Sequence, residues 1–215
     1  SEVHRNLYNL TDLQFTNPST EELVENCDVI FGSLPHKHAA AMLAPLYDAG
    51  KTVIDLSGDF RLRDIEQYKR WYKADHPRPD LLDKAVYGCP ETNREKIRTA
   101  KLVATPGCFA TSINLALLPA ARKGLLKSTP QVVAMTGSSG SGAEAKAGTH
   151  HPVREGTLRP YKVLSHQHVP ECVQMLNGAG SAIAGISFVP VSAPLVRGIL
   201  AICSAELTKD VSNEE

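Results

Sequence analysis

The chain has 215 residues, 42% hydrophobic and 21% charged, a composition that builds a packed core and excludes a disordered or fibrous protein. Lys plus Arg and Asp plus Glu number 23 each, and zero formal net charge argues against a protein that coats nucleic acid or an anionic membrane. No apolar run approaches the ~18–20 residues of a membrane span, and Ser1-Glu2-Val3-His4-Arg5 lacks a signal-peptide core.

Residues 27–31 form a short apolar run, stopped by Gly32-Ser33-Leu34-Pro35, and predict a strand. The Ala/Leu-rich stretch 38–47 predicts a helix closed by Ala49-Gly50, and 51–56 predict a second strand. Strand, helix and strand of this length make a crossover unit in a parallel sheet. The loops at 32–36 and 57–59 then lie at the carboxyl ends of strands, where open α/β sheets bind ligands. Further along, 64–78 read as a helix running into an irregular surface segment, and 101–105 as a strand closed by Thr105-Pro106-Gly107. A long helix is predicted over 108–122, ending at Lys123-Gly124, then a strand over 131–135 and a Gly/Ser loop over 137–142. The segment 166–176 suits a helix, and 186–191 and 198–203 read as neighbouring strands of a second sheet. A soft boundary falls near Gly107.

Five cysteines (Cys27, Cys89, Cys108, Cys172, Cys203) are scattered, odd in number and without a CxxC pair. That pattern predicts neither a metal site nor a disulfide framework, and makes the reducing cytoplasm the simplest compartment. The chain starts without Met in mid-pattern and ends at Ser212-Asn213-Glu214-Glu215, and so reads as a piece of a longer protein.

Cys108 carries the most chemical information, because it sits at a predicted strand-to-helix turn, Thr105-Pro106-Gly107-Cys108-Phe109-Ala110-Thr111. A helix N-terminus presents unpaired N–H groups and a positive dipole end, which favour a thiolate. Gly107 admits close approach of a substrate, and the same amides are placed to stabilise an oxyanion. The ordinary fate of a free cysteine is that of a small buried hydrophobe. The turn and the helix start weigh against it here.

A nucleophilic Cys needs a proton partner, usually His. His166 and His168 alternate in His166-Gln167-His168-Val169-Pro170-Glu171, so an extended segment would put both rings on one face. At a helix start, Glu171 is placed to cap the helix or orient one ring. Which imidazole meets the sulfur stays open at this level. The loop 137–142 has the composition that cradles phosphate through backbone amides, though it lacks a P-loop ending and no GxGxxG occurs. Arg154, Arg159 and Lys162 follow as candidate anion holders against the usual outcome of solvated surface charge.

Together, Val53-Ile54-Asp55-Leu56-Ser57-Gly58-Asp59-Phe60-Arg61-Leu62, Tyr87-Gly88-Cys89-Pro90-Glu91, Pro106-Gly107-Cys108-Phe109-Ala110-Thr111 and His166-Gln167-His168-Val169-Pro170-Glu171 resemble N-acetyl-γ-glutamyl-phosphate reductase. Ser33-Leu34-Pro35-His36 and Arg197-Gly198-Ile199-Leu200 add to the match. The resemblance implies an α/β protein, with an incomplete Rossmann-type NADP-binding domain over 1–107. An α+β catalytic domain of the semialdehyde and glyceraldehyde-phosphate dehydrogenase type follows over 108–215. It implies reduction of a small-molecule acyl phosphate by NADPH, in arginine biosynthesis, by a homo-oligomer (dimer or tetramer) without nucleic-acid or membrane partners.

Carried over, Cys108 is the nucleophile and His166 the acid/base. In aspartate-semialdehyde dehydrogenase, an Arg that holds the substrate carboxylate precedes the catalytic His by the same interval as Arg159 precedes His166. Arg159, His168, Glu171 and Arg61 are therefore implied for substrate, and Ser33, Leu34, Pro35, His36, Ser57, Gly107, Ser139 and Gly140 for the cofactor. The family's glycine-rich dinucleotide turn and its later C-terminal segment are not in this sequence. His150-His151-Pro152 is similar to the sister reductase of carrier-bound aminoadipyl phosphate in lysine synthesis. Two other classes stand beside these readings: a Cys–His hydrolase or acyltransferase without nicotinamide, and a non-catalytic binding relative.

Overall fold

The computed structural model describes residues 7–142 and 144–212. The terminal residues read above for targeting and for truncation, 1–5 and 213–215, lie outside them.

The first half forms a parallel sheet of β1 (Val29–Gly32), β2 (Thr52–Asp55), β3 (Val86–Tyr87) and β4 (Leu102–Ala104), in the order β1-β2-β4-β3. A short helix α1 (Thr20–Asn26) precedes it, opened by a capping box in which Ser19 and Glu22 each accept the other's backbone N–H. The helix α2 (Ala39–Asp48) joins β1 to β2 as the predicted crossover. Its alanines let it lie close to the sheet, and Ala39, Ala40, Leu43, Ala44 and Leu46 bury against Val53, Leu102 and Ala104. The approach is so close that a Cβ on Gly32 would stand 2.5 Å from Leu43 Cδ1. Gly50, at φ +82°, reverses the chain after α2, as a glycine beyond a helix end does. The helix α3 (Ile65–Tyr72), capped by the Asp64 carboxylate, turns Tyr68 and Tyr72 inward. The helix α4 (Pro90–Thr99) begins on a proline, whose missing N–H costs nothing in a first turn.

Beyond Gly107 the chain builds a second sheet from β5 (Gln131–Thr136), β6 (Arg159–Pro160), β7 (Ser187–Ser192) and β8 (Ile199–Ser204). Its order is β6-β7-β5-β8, with β5 parallel to β7 and antiparallel to β8. The two C-terminal strands are therefore not neighbours, as their succession predicts: β5 pairs on both edges and separates them. Two long helices, α5 (Cys108–Arg122) and α7 (His168–Gly178), cover one face; the one-turn α6 (His151–Arg154) lies between them in sequence. Phe109, Ile113 and Leu117 of α5 meet Cys172 and Leu176 of α7 over Val132, Ala134 and Phe188. Each large apolar side chain removed from water there contributes ~1.5–3 kcal/mol. The other face leaves Val133, Leu200 and Ile202 exposed.

Candidate active site

Between the two sheets, β4 runs through residues 105–107 straight into α5. Cys108 is the first residue of that helix and is exposed, while Cys89 and Cys172 are buried. A cavity of about 250 Å³ opens beside it, lined by Cys108, His166, His168 and Tyr161 from the second half and by His36 and Arg61 from the first. Among the described residues, no Asp or Glu lines it. A larger hollow of about 330 Å³, with Arg63, Lys96 and Arg122 in its wall, backs onto Arg61 from the other side. Among the described residues its wall holds no cysteine or histidine, whereas the smaller cavity has both.

The turn that presents Cys108 is held from behind. Arg61 donates from Nε to the Thr105 carbonyl at 2.7 Å and from Nη2 to the Leu56 carbonyl at 3.0 Å. Glu171, 1% exposed, accepts the Gly107 N–H at 2.8 Å and the Tyr87 hydroxyl at 2.7 Å on Oε1, and its Oε2 lies 3.6 Å from Arg61 Nη1. The structure thus corrects the expectation that Glu171 holds substrate or a histidine ring. Its carboxyl is sealed behind the site and spent on the backbone there, and burial pushes its pKa up, against the pull of Arg61. Arg61 does border the cavity, though its Nε and Nη2 donate to protein carbonyls.

His168 opens α7, so the two histidines meet across a helix start and not along an extended face; their ring centroids are 4.5 Å apart. His166 Nδ1 accepts the His168 N–H at 3.2 Å, which makes Nε2 the protonated nitrogen of a neutral His166 ring. Phe109 packs edge-on against both rings. Burial, with Lys162 nearby, depresses His166 to about 4, and deeper burial beside His166 depresses His168 to about 2. Both are neutral at pH 7. The His168 ring also abuts the turn: a Cβ on Gly107 would stand 2.3 Å from its Nε2, so only glycine fits.

The remaining expected residues are spread more widely. Ser33 and Pro35 are exposed and Leu34 is half-buried in the loop from β1 to α2, at the carboxyl edge of the parallel sheet. Ser57 is not available to a cofactor, because it is buried and its hydroxyl donates to Asp55 Oδ2 at 2.8 Å. Gly140 borders the cavity and Ser139 is exposed beside it. The Gly/Ser loop is not a phosphate cradle, however: the Gly137, Ser138 and Ser139 amides donate to the carbonyls of Gly198, Leu195 and Val196. Arg154 is likewise structural, donating to the carbonyls of Thr136 and Ala193 and to Ser192 Oγ. Arg159 is exposed on β6, outside the cavity lining, with one bond to the Gly148 carbonyl at 3.0 Å. Tyr161 and Thr136 border the cavity, and nothing about their residue type singled them out. Burial and the neighbouring sulfur raise Tyr161 to about 12, which keeps its hydroxyl a donor.

Residues 1–100 match the semialdehyde dehydrogenase NAD binding domain, and residues 108–215 match the semialdehyde dehydrogenase dimerisation domain. The chain belongs to the semialdehyde dehydrogenase family. Its first sheet is accordingly the family's nicotinamide-dinucleotide domain. Two kinds of curated relative align with almost all of it. The LysW-L-2-aminoadipate/LysW-L-glutamate phosphate reductase of Saccharolobus solfataricus is 42% identical over 99% of this chain and 61% of its own length. The N-acetyl-gamma-glutamyl-phosphate reductase of Saccharophagus degradans is 42% identical over 99% of this chain and 62% of its own. The chain thus spans about three-fifths of the length of the curated relatives it matches. Aspartate semialdehyde dehydrogenase II of Vibrio cholerae superposes with a TM-score of 0.64 at 16% identity, over 89% of this chain and 59% of that one, and shares the fold.

Proposed function

We propose that the protein containing this chain reduces N-acetyl-γ-glutamyl phosphate to N-acetylglutamate semialdehyde and phosphate with NADPH, through a thioester on Cys108. The observation that carries this reading is an exposed cysteine at the first residue of α5, in a cavity walled by Arg61 and imidazoles and without a carboxylate. Such a cavity favours an anionic acyl donor.

In this reading, Cys108 Sγ attacks the acyl carbon, and the carbon–oxygen bond to phosphate breaks with phosphate taking the electron pair. The dinucleotide fits the open carboxyl edge of the first sheet, where Ser33, Leu34 and Pro35 would flank it and Ser139 and Gly140 would face it. When bound, a reduced nicotinamide supplies hydride. The thioester carbon accepts that hydride, and collapse of the tetrahedral oxyanion breaks the carbon–sulfur bond, releasing aldehyde and returning the thiolate. The proton-handling residue is His166, whose Nε2–H serves the oxygen of both tetrahedral species as a neutral donor. His168 and Gly107 set the position of the turn. Arg159, on β6 outside the cavity lining, is the residue that the resemblance offers for the substrate carboxylate.

The sister reaction on carrier-bound aminoadipyl phosphate is the second reading, favoured by relatives of both kinds at 42% identity. The exposed Val133, Leu200 and Ile202, on the sheet of the region matching the dimerisation domain, support a homo-oligomer. No helix among the described residues is long and apolar enough to cross a membrane, and five free thiols suit the cytoplasm.

The test is phosphate-dependent reduction of NADP by each semialdehyde, using the complete protein and its Cys108→Ser variant. The reading expects turnover with the N-acetylated aldehyde and at least a ~10⁴-fold loss in the variant, beyond the ~10²–10⁴ of a lost acid/base group. Near-normal turnover by Cys108→Ser defeats the mechanism, and turnover only with the carrier-bound aldehyde selects the sister reaction.

A further inference from the structure

We propose that His36, which the first domain contributes to the cavity, donates its Nε2–H to the phosphoryl group of the substrate. The proposal rests on the acyl-phosphate reading for what that group is attached to, and departs from the cofactor role implied by resemblance.

The ring is held in one state by its surroundings. His36 Nδ1 accepts the Gly58 N–H at 2.7 Å, so the neutral imidazole carries its proton on Nε2. No described residue takes up that second nitrogen, and the ring lies in the wall of the cavity that Cys108 shares. Gly58 is essential to the arrangement, because a Cβ there would stand 2.1 Å from the Tyr72 hydroxyl oxygen. Tyr72 in turn packs edge-on against His36, with centroids 5.7 Å apart.

The backbone beyond the ring is fixed as well. Asp59, wholly buried, accepts the Lys37 N–H at 2.7 Å, the Ala40 N–H at 3.0 Å and the Tyr68 hydroxyl at 3.1 Å. These bonds hold Lys37 at φ +74° and tie the His36 loop to the start of α2. Burial and the nearby Arg61 keep the imidazole below its usual range, consistent with a neutral donor.

Charge decides which ligand this donor meets. Arg61 is in the same wall and no carboxylate among the described residues is, so a phosphoryl dianion is favoured there and the cationic ring of an oxidised nicotinamide is not. A neutral N–H holds a phosphoryl oxygen without adding a full counter-charge, which suits a group that must depart after the carbon–oxygen bond breaks.

The experiment uses the complete protein, without cofactor, and inorganic phosphate as the probe. Alkylation of Cys108 by iodoacetamide, followed by peptide mapping to separate it from the other thiols, reports phosphate occupancy without any turnover. Phosphate is expected to protect Cys108 in the wild type. Loss of one hydrogen bond to a charged group should weaken that protection ~10–100-fold in His36→Ala. In His36→Gln, whose amide N–H reaches to a similar depth, most of the protection should return, while the KM for NADP stays within about twofold in both variants. Equal protection in wild type and His36→Ala overturns the proposal, as does a wild type that phosphate does not protect. A defect confined to the NADP KM returns the residue to the cofactor. Loss of the reductase reading alone, with His36-dependent protection intact, would leave a phosphoryl site serving another reaction.

Discussion

Asp59 and Glu171 are both carboxylates sealed from solvent beside the cavity, and each fixes backbone amides of a loop there, yet they are satisfied in opposite ways. The Asp59 carboxylate is surrounded by donors from its own domain: two backbone amides and the Tyr68 hydroxyl. Glu171, rooted in α7, takes its partners from the other half of the chain or from the junction, namely Tyr87, Arg61 and Gly107. Its Oε2 has no hydrogen bond, and Arg61 at 3.6 Å is its main compensation. One carboxylate builds a loop within a domain. The other spends a desolvation penalty on fixing two domains around the turn that carries Cys108, a use that favours position over stability.

The sharpest way to break this comparison is Glu171→Ala. It leaves the buried Arg61 cation uncompensated and the Gly107 and Tyr87 donors orphaned, and should destabilise by ~3–5 kcal/mol in urea unfolding. It should also change the rate at which iodoacetamide reaches Cys108. Equal unfolding free energies for Glu171→Ala and the wild type would show that the junction is not held this way.

Acidification acts on the helix that carries Glu171. His166 and His168 have folded pKa values of about 4 and about 2, below the ~6.5 of an unfolded chain. Between these values the unfolded state binds more protons, so stability is full above pH ~6.5 and is lost as pH falls. Each ring should remove up to ~1.4 kcal/mol per pH unit, continuing to about pH 4 for His166. Thermal melts from pH 7 to 5 should show this loss, and His166→Gln should flatten it.

Asp59→Ala should cost less, ~1–3 kcal/mol, because it orphans neutral donors and, unlike Glu171→Ala, strips no buried cation of its ion-pair partner. Its signature is selective: weaker phosphate protection through His36, with the alkylation rate of free Cys108 unchanged. If that rate changes as it does in Glu171→Ala, the two carboxylates do not divide the work as described. The smallest effect belongs to Tyr87→Phe, ~1 kcal/mol by urea unfolding, since Glu171 Oε1 keeps the Gly107 amide.

Much of the fold is legible in local pattern. The helix expected over 108–122 is α5, Cys108–Arg122, and the crossover from β1 to β2 lies where apolar runs and Gly50 place it. Local pattern fails where partners are distant. Glu171 follows His166-Gln167-His168 in sequence, which points to a cap or a ring partner, whereas its real partners lie 64 and 84 residues away. The glycines and serines at 137–142 suggest free amides, but residues 195–198 take up those of Gly137, Ser138 and Ser139. Strand order in the second sheet also escapes succession, because β5 pairs with two strands, β7 and β8, that follow it far along the chain.

Most of the elements, the cysteine at the head of a helix and the motifs that mark the family could be read from the sequence, since periodicity, turn residues and helix ends are short-range properties. Long-range folding sets which polar groups are spent and which are free: Glu171, Ser57 and Arg154 bind protein, while His36 and His166 each keep one ring nitrogen that no described residue takes up. That division depends on which distant backbone groups arrive to claim each donor and acceptor, and folding alone brings them together.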